Sequence, residues 1–544
     1  MTEKGKILKS ASVITLATVI SRILGYFRDQ RITLLLGTSV AADSFVLAYR
    51  IPNLLRRLVG EGSLTAAFIP VFTSYLARGD REAVWQFANR VFWALALVLA
   101  CLTALGMIFS AQIVHLFTLF GSNASDWSLA VYLNRLIFPF LFFIGLSALA
   151  MAILNSLHIF GLPASTPIVF NVAIILCSVA AIYRPALRLL PEVYRTPAVI
   201  LALGVVIGGA LQFLMQVPAL IRHGMRFVPS LSFSDPGVRK VGRLMAPGFF
   251  GIGIYQVNFF VNMFFAASSK MPRGTLTSLY VAERVVELVL GAYAISVATT
   301  ILPMMSHQAA VGDLDKLKST FTFSLRIVSF LAIPAAIGLI VLREPIIQVL
   351  FQHGQFSAES TQLTSRALLF GAIGLPAFAG IKLIVPAFYS THDTQTPVRV
   401  AAWTLILNLT FNLLFLELFF ATLRNGSPPL ATSLAAYFNF FLLFWILRER
   451  LGRLGTRDLM LSLTKILACS AAMAGICYIS LHWSGFNGYN ALFARGAALL
   501  GMIVAGILVY LGLARLLKCE EIDEVLAILR KAEREPVAPA VLPD

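Results

Sequence analysis

The feature that most limits the possible folds is a succession of apolar segments, each long enough to cross a lipid bilayer. About 20 apolar residues in a helix span the hydrocarbon layer, and fourteen such segments follow one another between residues 10 and 516. With 58% hydrophobic and 13% charged residues, the chain holds more apolar material than one soluble core can bury. We therefore predict an all-α polytopic membrane protein with about 14 transmembrane helices.

The sequence also repeats itself. GSLTAAFIPVFTSYLARGD at 62–80 matches AISVATTILPMMSHQAAVGD at 294–313, so that Pro70 aligns with Pro303 at a shift of 233 residues. NSLHIFGLPASTP matches YSTHDTQTP at nearly the same shift, which aligns His158 with His392. Each period holds six helices, an even number, so both halves enter the membrane the same way round and form two lobes related by a pseudo-two-fold axis. We predict an N-lobe over 1–225, a C-lobe over 226–450, two additional helices over 451–518, and a C-terminal segment over 519–544.

The net charge of +17 is spread over short basic clusters between the apolar segments. This pattern fits the enrichment of Lys and Arg in cytoplasmic loops better than it fits a nucleic-acid surface. The basic loops lie on the side of both chain termini, which we therefore predict to be cytoplasmic. Apolar residues at helical spacing in 520–534, from Ile522 to Leu529, predict a final amphipathic helix lying on the membrane.

Ionised side chains interrupt the first two apolar segments. At mid-membrane depth each costs roughly 3 kcal/mol, so such residues are expected to face a protein interior or a wet cavity. A second group, on one broad helical face, lies in the eighth segment, and Lys382 is a further cation in the tenth. The charged residues of the three segments are Arg22, Arg28, Asp29, Arg31, Asp43, Arg50, Arg56, Arg57, Glu61, Glu283, Arg284 and Glu287.

Two interpretations of these charges are open. Guanidinium groups bind phosphate oxygens in pairs and stay charged, so arginines in a cavity suit a multiply charged anion; alternatively, they form structural ion pairs or extend to the interface. The excess of arginines favours anion binding for Arg22, Arg28, Arg56 and Arg284, whereas we favour the structural role for Arg31, Arg50 and Arg57. The carboxylates bind a coupling cation or hold the arginines in place, and we favour the holding role for Asp29, Asp43, Glu61, Glu283 and Glu287.

Few other residues of the sequence suggest metal binding or catalysis. Asn258, Asn262, Asn408 and Asn412 are weak candidates for a sodium site, because interhelical hydrogen bonds are the commoner use of such residues. Five cysteines without CxxC spacing predict no other metal site. There is no G-x-x-x-x-G-K-[ST] or H-E-x-x-H motif. We therefore predict no enzyme activity and no cofactor, and we expect transport to be driven by the membrane potential or by a sodium or proton gradient.

Several strings carry a family resemblance. SRILGYFRDQ, the segment SFVLAYRIPNLLRRLVGEGSLTAAFIPVF, VAERVVELVLG, LFQHGQF at 350–356 and VPAFYSTHDTQTPV at 385–398 resemble the MurJ (MviN) family of bacterial lipid II flippases. This family belongs to the multidrug/oligosaccharidyl-lipid/polysaccharide exporter superfamily. The resemblance extends from about residue 8 to the end of the fourteenth helix.

The resemblance implies a multi-pass protein of the bacterial inner membrane, with a V-shaped pair of lobes around a cationic cavity and a groove on the last two helices for an undecaprenyl tail. It places the arginines essential to the family at Arg22, Arg28, Arg56 and Arg284, where they would hold the diphosphate and head group of lipid II. Membrane lipids and cell-wall synthesis proteins are the other implied partners. The alternatives are a flippase for another lipid-linked oligosaccharide, a cation-coupled drug exporter of the same superfamily, and a scaffold that transports nothing.

Overall fold

The computed structural model describes residues 3–59, 63–118, 127–183, 195–452, 454–483, 485–488 and 491–524. At residues 3–11, 58–59, 63, 247–255, 292–300 and 487 it describes the backbone alone. In this part of the chain all regular structure is helical, which confirms the predicted all-α class. Glu61 and residues 525–544 lie outside the described residues.

The first half contains ten helices, several of which start at a residue suited to that position. Asp80 accepts hydrogen bonds from the backbone N–H groups of Glu82 and Ala83 at the start of α4, and Pro139 and Pro197 occupy first-turn positions of α7 and α9. The helices are α1 (Glu3–Leu36), α2 (Val40–Val59), α3 (Ser63–Leu76), α4 (Arg81–Ile108), α5 (Ser110–Phe117), α6 (Ser128–Ile137), α7 (Pro139–Ser156), α8 (Gly161–Ile182), α9 (Pro197–Leu214) and α10 (Val217–Arg222).

The second half continues in the same way. Its helices are α11 (Pro236–Ala266), α12 (Thr275–Ala310), α13 (Leu314–Val341), α14 (Arg343–Phe351), α15 (Ala358–Ile373), α16 (Leu375–Ser390), α17 (Gln395–Glu417), α18 (Phe420–Leu423), α19 (Ser427–Leu451), α20 (Thr456–Trp483) and α21 (Leu492–Leu516). Each of the fourteen predicted segments coincides with one of the helices or with two consecutive ones.

Nine stretches of the described chain are helical, long and apolar enough to cross a membrane, and the bent pair α15–α16 brings the number to ten. The protein is therefore a multi-pass membrane protein. The helices α1, α2 and α12, which carry most of the charged residues singled out above, are not among these stretches. Their polar faces need partners inside the bundle, and they meet between the two halves.

The sequence repeat recurs in the backbone. Gly79 and Gly312 both adopt left-handed conformations, with φ of 76° and 75°, and each precedes an aspartate that caps the next helix. His158 and His392 also match, with φ of 61° and 60° at the ends of α7 and α16. Two pairs of equivalent positions therefore share unusual conformations, which supports two structurally related lobes.

The two lobes touch at both ends of the bundle. Near the loop after α1, the Gln355 N–H donates to the Leu34 carbonyl at 2.9 Å, and the hydroxyls of Thr38 and Ser360 lie 2.8 Å apart. At the opposite end, Arg90 of α4 pairs with Asp235, the residue that caps α11. A central space is thus bounded by contacts at both ends.

The last two helices pack against the second lobe. Helix α20 lies along α13, and α21 contacts α20 and α14. Arg326 of α13 donates to Glu521 at 2.6 Å, and the Tyr510 hydroxyl donates to the Phe330 carbonyl at 2.8 Å. Glu521 and Ile522 are buried, so the start of the predicted amphipathic helix is held against the bundle.

Candidate functional site

Arg28 and Asp29 form a buried ion pair in the C-terminal third of α1. Asp29 Oδ1 accepts from Arg28 Nε at 3.0 Å and from Nη2 at 2.7 Å, and both residues are less than 10% exposed. The remaining Nη1 of Arg28 donates to Asn171 Oδ1 of α8 at 3.0 Å. A buried guanidinium is tolerable only when it is paired and hydrogen-bonded in this manner.

The same carboxylate links the two lobes. The Tyr280 hydroxyl of α12 donates to Asp29 Oδ1 at 2.9 Å, and Arg284 Nε lies 3.6 Å from Asp29 Oδ2. Arg284 also donates to Glu287 Oε2 at 2.8 Å, one helical turn further along. We call Arg28, Asp29, Tyr280, Arg284 and Glu287 the charged cluster. Four of its five members, all except Tyr280, are charged residues that the sequence singled out.

A second ion pair lies beside the charged cluster. Arg50 of α2 donates to Glu283 Oε2 at 2.6 Å, and its guanidinium stacks 4.5 Å from the ring centre of Phe259 and 5.3 Å from that of Tyr280. Arg284 lies 5.0 Å from the same Tyr280 ring. Cation–π contacts of this kind stabilise a cation that has lost part of its water, so Tyr280 serves two arginines at once.

Asp43 has a different surrounding from the other predicted carboxylates. It is 7% exposed and accepts from the backbone N–H groups of Gly274 at 2.7 Å and Thr277 at 2.9 Å, and from the Thr277 hydroxyl at 2.8 Å. These groups form the first turn of α12, whose exposed N–H groups favour a negative charge. An N-lobe side chain therefore caps a C-lobe helix.

The other two predicted arginines lie apart from the charged cluster. Arg22 Nη1 donates to the Gly291 carbonyl at 3.2 Å, seven residues beyond Arg284 and therefore about 10 Å away along α12. Arg56 Nε donates to Asn53 Oδ1 at 2.9 Å on its own helix. The structure thus brings Arg28 and Arg284 together through Asp29, while Arg22 contacts α12 further along and Arg56 bonds to a residue of its own helix.

A cavity of about 410 Å³ lies between the lobes and extends into the C-lobe. Arg284 lines it, as do Glu283 and Glu287, whereas Arg22, Arg28 and Arg56 are not among its described lining residues. The other charged residues on its wall are Arg50, Arg57 and Lys382. For Arg50 and Arg57 the sequence favoured a structural role. Arg50 forms an ion pair with Glu283 and also lines the cavity.

Uncharged polar residues form another part of the cavity wall. Gln256, Asn258, Asn262, Thr404, Thr432 and Asn439 come from α11, α17 and α19. Of these, the sequence singled out only Asn258 and Asn262. Nothing in the sequence distinguished Gln256, Thr404 or Asn439 from ordinary helix-packing residues, because their helices carry no charge nearby to mark the face.

The four sodium candidates do not share one arrangement. Asn412 Nδ2 donates to Asn408 Oδ1 at 3.0 Å and to Asn262 Oδ1 at 3.3 Å, so these three amides bond with one another between α11 and α17. Asn258 lines the cavity. In the described part of the chain, no group of three or more His, Cys, Asp or Glu side chains could hold a metal ion.

Two six-helix lobes around a charged interior cavity define a membrane transporter of the alternating-access type. The sequence model of the family described as Lipid II flippase MurJ matches residues 32–496. The chain therefore belongs to the MurJ family.

Curated relatives agree with this placement. A protein of Vibrio cholerae named "Probable lipid II flippase MurJ" is 34% identical over 95% of this chain and 97% of its own length. The "Lipid II flippase MurJ" of Burkholderia cenocepacia is 30% identical over 91% of this chain and 95% of its own.

Solved structures show the same architecture. "Lipid II flippase MurJ, inward closed conformation" superimposes with a TM-score of 0.75 at 25% identity and covers 92% of this chain and 98% of that one. An inward-facing multidrug resistance MATE transporter of the MOP superfamily reaches a TM-score of 0.64 at 13% identity, over 81% of this chain and 99% of its own. The second likeness concerns the fold alone.

Proposed function

We propose that this protein moves lipid II, the undecaprenyl-diphosphate-linked disaccharide-pentapeptide, from the cytoplasmic to the periplasmic leaflet of the bacterial inner membrane. The observation that carries the proposal is the charged cluster, which joins the lobes by ion pairs beside a cavity in a member of the MurJ family. A diphosphate cannot enter hydrocarbon unaided, and arginines inside a protein replace its water.

The carboxylates paired with these arginines keep the affinity for a diphosphate moderate. Arg28, Arg50 and Arg284 each have a carboxylate partner in the conformation described. An incoming diphosphate exchanges with Glu283, Glu287 or Asp29, so the net gain is the difference between two ion pairs rather than the full value of one. Release then costs little, because the carboxylates return to the arginines.

Two cavity cations need no such exchange. Arg57 and Lys382 line the cavity and make no ion pair with a described carboxylate. Arg57 is therefore available to an anion in the conformation described, while Lys382 also interacts with the charge of Glu287. Arg22 and Arg56 remain proposed contacts of the head group, reached when the lobes separate.

In the conformation described, the lobes contact each other at both ends of the bundle. A cavity of about 410 Å³ suits a drug-sized ligand, since such sites span roughly 300–1,000 Å³. A diphosphate with a disaccharide and a pentapeptide is larger, so the lobes must separate for the head group to enter. The hydrogen bonds between Asp43 and the start of α12 lie at one end, and the Arg90–Asp235 ion pair lies at the other. These two contacts break in turn during alternating access.

The remaining features follow from this assignment. Both termini are assigned to the cytoplasm, and the undecaprenyl tail is assigned to the lipid-facing surface of α20 and α21. No cofactor takes part, and the membrane potential or a sodium or proton gradient drives the cycle. Membrane lipids surround the protein, and cell-wall synthesis proteins are its proposed neighbours.

Depletion in living cells tests the proposal. The protein is removed from cells, and lipid II is assayed on each leaflet with a probe that cannot cross the membrane. We expect accumulation on the cytoplasmic side, relieved by the wild-type chain and by Arg399→Ala, an exposed arginine at the start of α17, but not by Arg28→Ala at equal membrane abundance. An unchanged leaflet distribution after depletion would contradict the assignment.

A further inference from the structure

The string LFQHGQF at 350–356 begins at the end of α14 and forms the turn that leads into α15. Helix α14 is nine residues long and is not among the described stretches able to cross a membrane. It contacts α13 and α15 of its own lobe, and it also contacts α1 and α21. A short helix therefore touches both the first helix of the N-lobe and a helix that lies outside the repeat.

One face of α14 is held by α1. The Leu350 carbonyl accepts from the Tyr26 hydroxyl at 3.2 Å and from Gln30 Nε2 at 3.0 Å. The Tyr26 ring also lies 6.0 Å from the ring of Phe351. Tyr26 and Gln30 are four residues apart, so they share one face of α1. Gln30 directly follows Asp29, so the turn of α1 that enters the charged cluster also holds α14.

The opposite face of α14 lies on α21. A Cβ atom added to Gly496 of α21 would lie 4.0 Å from Val349 Cγ1. Residues two positions apart in an α-helix point about 200° away from each other, so Val349 and Phe351 lie on opposite faces. Helix α14 is therefore placed between α21 and α1, and the glycine leaves α21 without a side chain at this contact.

The space on the α1 side is fully used. The Gln355 N–H donates to the Leu34 carbonyl at 2.9 Å, and a Cβ atom on Gly354 would lie 2.5 Å from the same carbonyl oxygen. Protein interiors are packed too densely to absorb the displacement of a helix. If α14 moves toward α1, the turn at 350–356 presses on the backbone at Leu34, and the lobes have to separate at this end.

We propose that α14 couples α21 to the contact between the lobes: when α21 shifts toward the bundle, α14 moves against α1 and the lobes separate at this end. The inference rests on the proposed function, because the undecaprenyl tail assigned to α20 and α21 is the ligand that shifts α21. A ligand changes the position of the lobes only if it binds their two arrangements with different affinities. Through α14, a tail that stays in the lipid acquires such a difference.

Spin labels at Ser39 and Glu359, in the purified full-length protein in nanodiscs, test the coupling in the absence of substrate. Gly496→Ile adds a side chain that branches at Cβ, so that one branch meets Val349. We expect the share of molecules with a longer distance between the labels to rise at least about fivefold, the lower end of the usual coupling between sites. Gly501→Ile is the matched control on the same helix, since nothing lies within 4 Å of a Cβ atom added there. Its distances should equal those of the wild-type protein.

A compensating substitution shows whether α14 carries the effect. Val349→Ala makes room on α14 for the added side chain, so the double variant with Gly496→Ile should return to the wild-type distances. Gly496→Val takes the place of Gly496→Ile if thermal unfolding shows that the larger side chain prevents folding. Unchanged distances in the folded Gly496 variant, or a double variant that stays shifted, would overturn the coupling through α14.

Undecaprenyl phosphate, which has the tail but neither sugar nor peptide, tests the ligand. Added to the wild-type protein, it should raise the share of longer distances, and Val349→Ala should weaken this response. A wild-type protein that does not respond, beside a Gly496 variant that does shift, would overturn the tail as the ligand that acts through α21. Failure of the proposed function is a separate result, because it is read from the leaflet distribution of lipid II after depletion and not from these distances.

Discussion

Asp29 is the residue on which most of the charged cluster converges, since one carboxylate receives Arg28, Tyr280 and Arg284. Asp29→Asn leaves two guanidinium groups without this counter-charge, and breaking a buried ion pair costs about 3–5 kcal/mol. We expect a markedly lower melting temperature in detergent and loss of transport. Thermal unfolding of the purified variant measures the first effect, and complementation of depleted cells measures the second.

A double variant separates stability from substrate binding. Arg28→Gln with Asp29→Asn removes the charges of Arg28 and Asp29 together, so we expect its melting temperature to recover much of the loss seen in Asp29→Asn alone. Transport should remain absent, because the guanidinium proposed to bind phosphate is missing. Recovery of transport in the double variant would reduce Arg28 to a structural partner of Asp29.

Asp393 provides a pH-dependent contribution to stability outside the membrane-spanning helices. Burial tends to raise the pKa of Asp393, but hydrogen bonds from Thr396 and the guanidinium of Arg450 outweigh it and lower the pKa to about 2. Because the folded pKa lies below the ordinary value of about 3.9, the carboxylate stabilises the fold above pH 4 and loses this effect as the pH falls toward 2.

The variant Asp393→Asn tests that dependence. At pH 7 it should melt at a lower temperature than the wild-type protein, and the gap should narrow as the pH is lowered from 4 to 3. Thermal unfolding across this range gives the answer. A gap that stays constant down to pH 3 and below would show that charge on Asp393 contributes nothing.

At the scale of helices, two histidines end α7 and α16 in a conformation that most residues avoid. His158 and His392 have φ near 60°, and in each case the next N–H bonds back to a carbonyl five residues earlier, at 2.9 and 3.0 Å. A left-handed residue with a side chain costs roughly 1–2 kcal/mol, most for β-branched types. His392→Gly should therefore keep or raise the melting temperature, whereas His392→Val should lower it.

A control for this prediction is available on α12. His307 is an exposed residue in the last turn of that helix, so His307→Val changes the same side chain without the left-handed backbone. We expect it to shift the melting temperature less than His392→Val does. Equal shifts would mean that the backbone conformation at His392 carries no cost.

The helices were the most predictable part of the molecule, because the length of an apolar segment is a local property of the chain and the repeat can be seen by aligning the two halves of the sequence. The pairing of Asp29 with Tyr280 and Arg284 was not predictable, since it depends on how α1 and α12 meet across the lobes. The sequence identified charged residues by their cost in lipid and favoured a structural role for Arg50. Its contact with Phe259, 209 residues away along the chain, could not be predicted from the sequence. The uncharged polar residues of the cavity wall, such as Gln256 and Asn439, were not singled out, because a neutral amide costs less in lipid than a charge.

At the scale of the whole molecule, transport requires the lobes to separate at one end while they close at the other. At the end near the loop after α1, the lobes contact each other at two glycines, Gly37 and Gly354, both with φ near 60°. A Cβ atom on Gly37 would lie 2.3 Å from the Gln355 carbonyl oxygen, and one on Gly354 would lie 2.5 Å from that of Leu34. Both clashes are with backbone of the opposite lobe, which cannot move aside without opening the contact.

Gly37→Ala and Gly354→Ala should therefore shift the protein toward conformations in which this end is open. Spin labels at Ser39 and Glu359, one on each lobe, would report a longer distance in either variant than in the wild-type protein, and transport should slow because the closed state is harder to reach. Gly312→Ala is the matched control, since Gly312 has φ of 75° with nothing within 4 Å of an added Cβ. It carries the same backbone strain without the clash, so its distance distribution should match that of the wild-type protein; an identical distribution in all three variants would show that this contact does not set the position of the lobes.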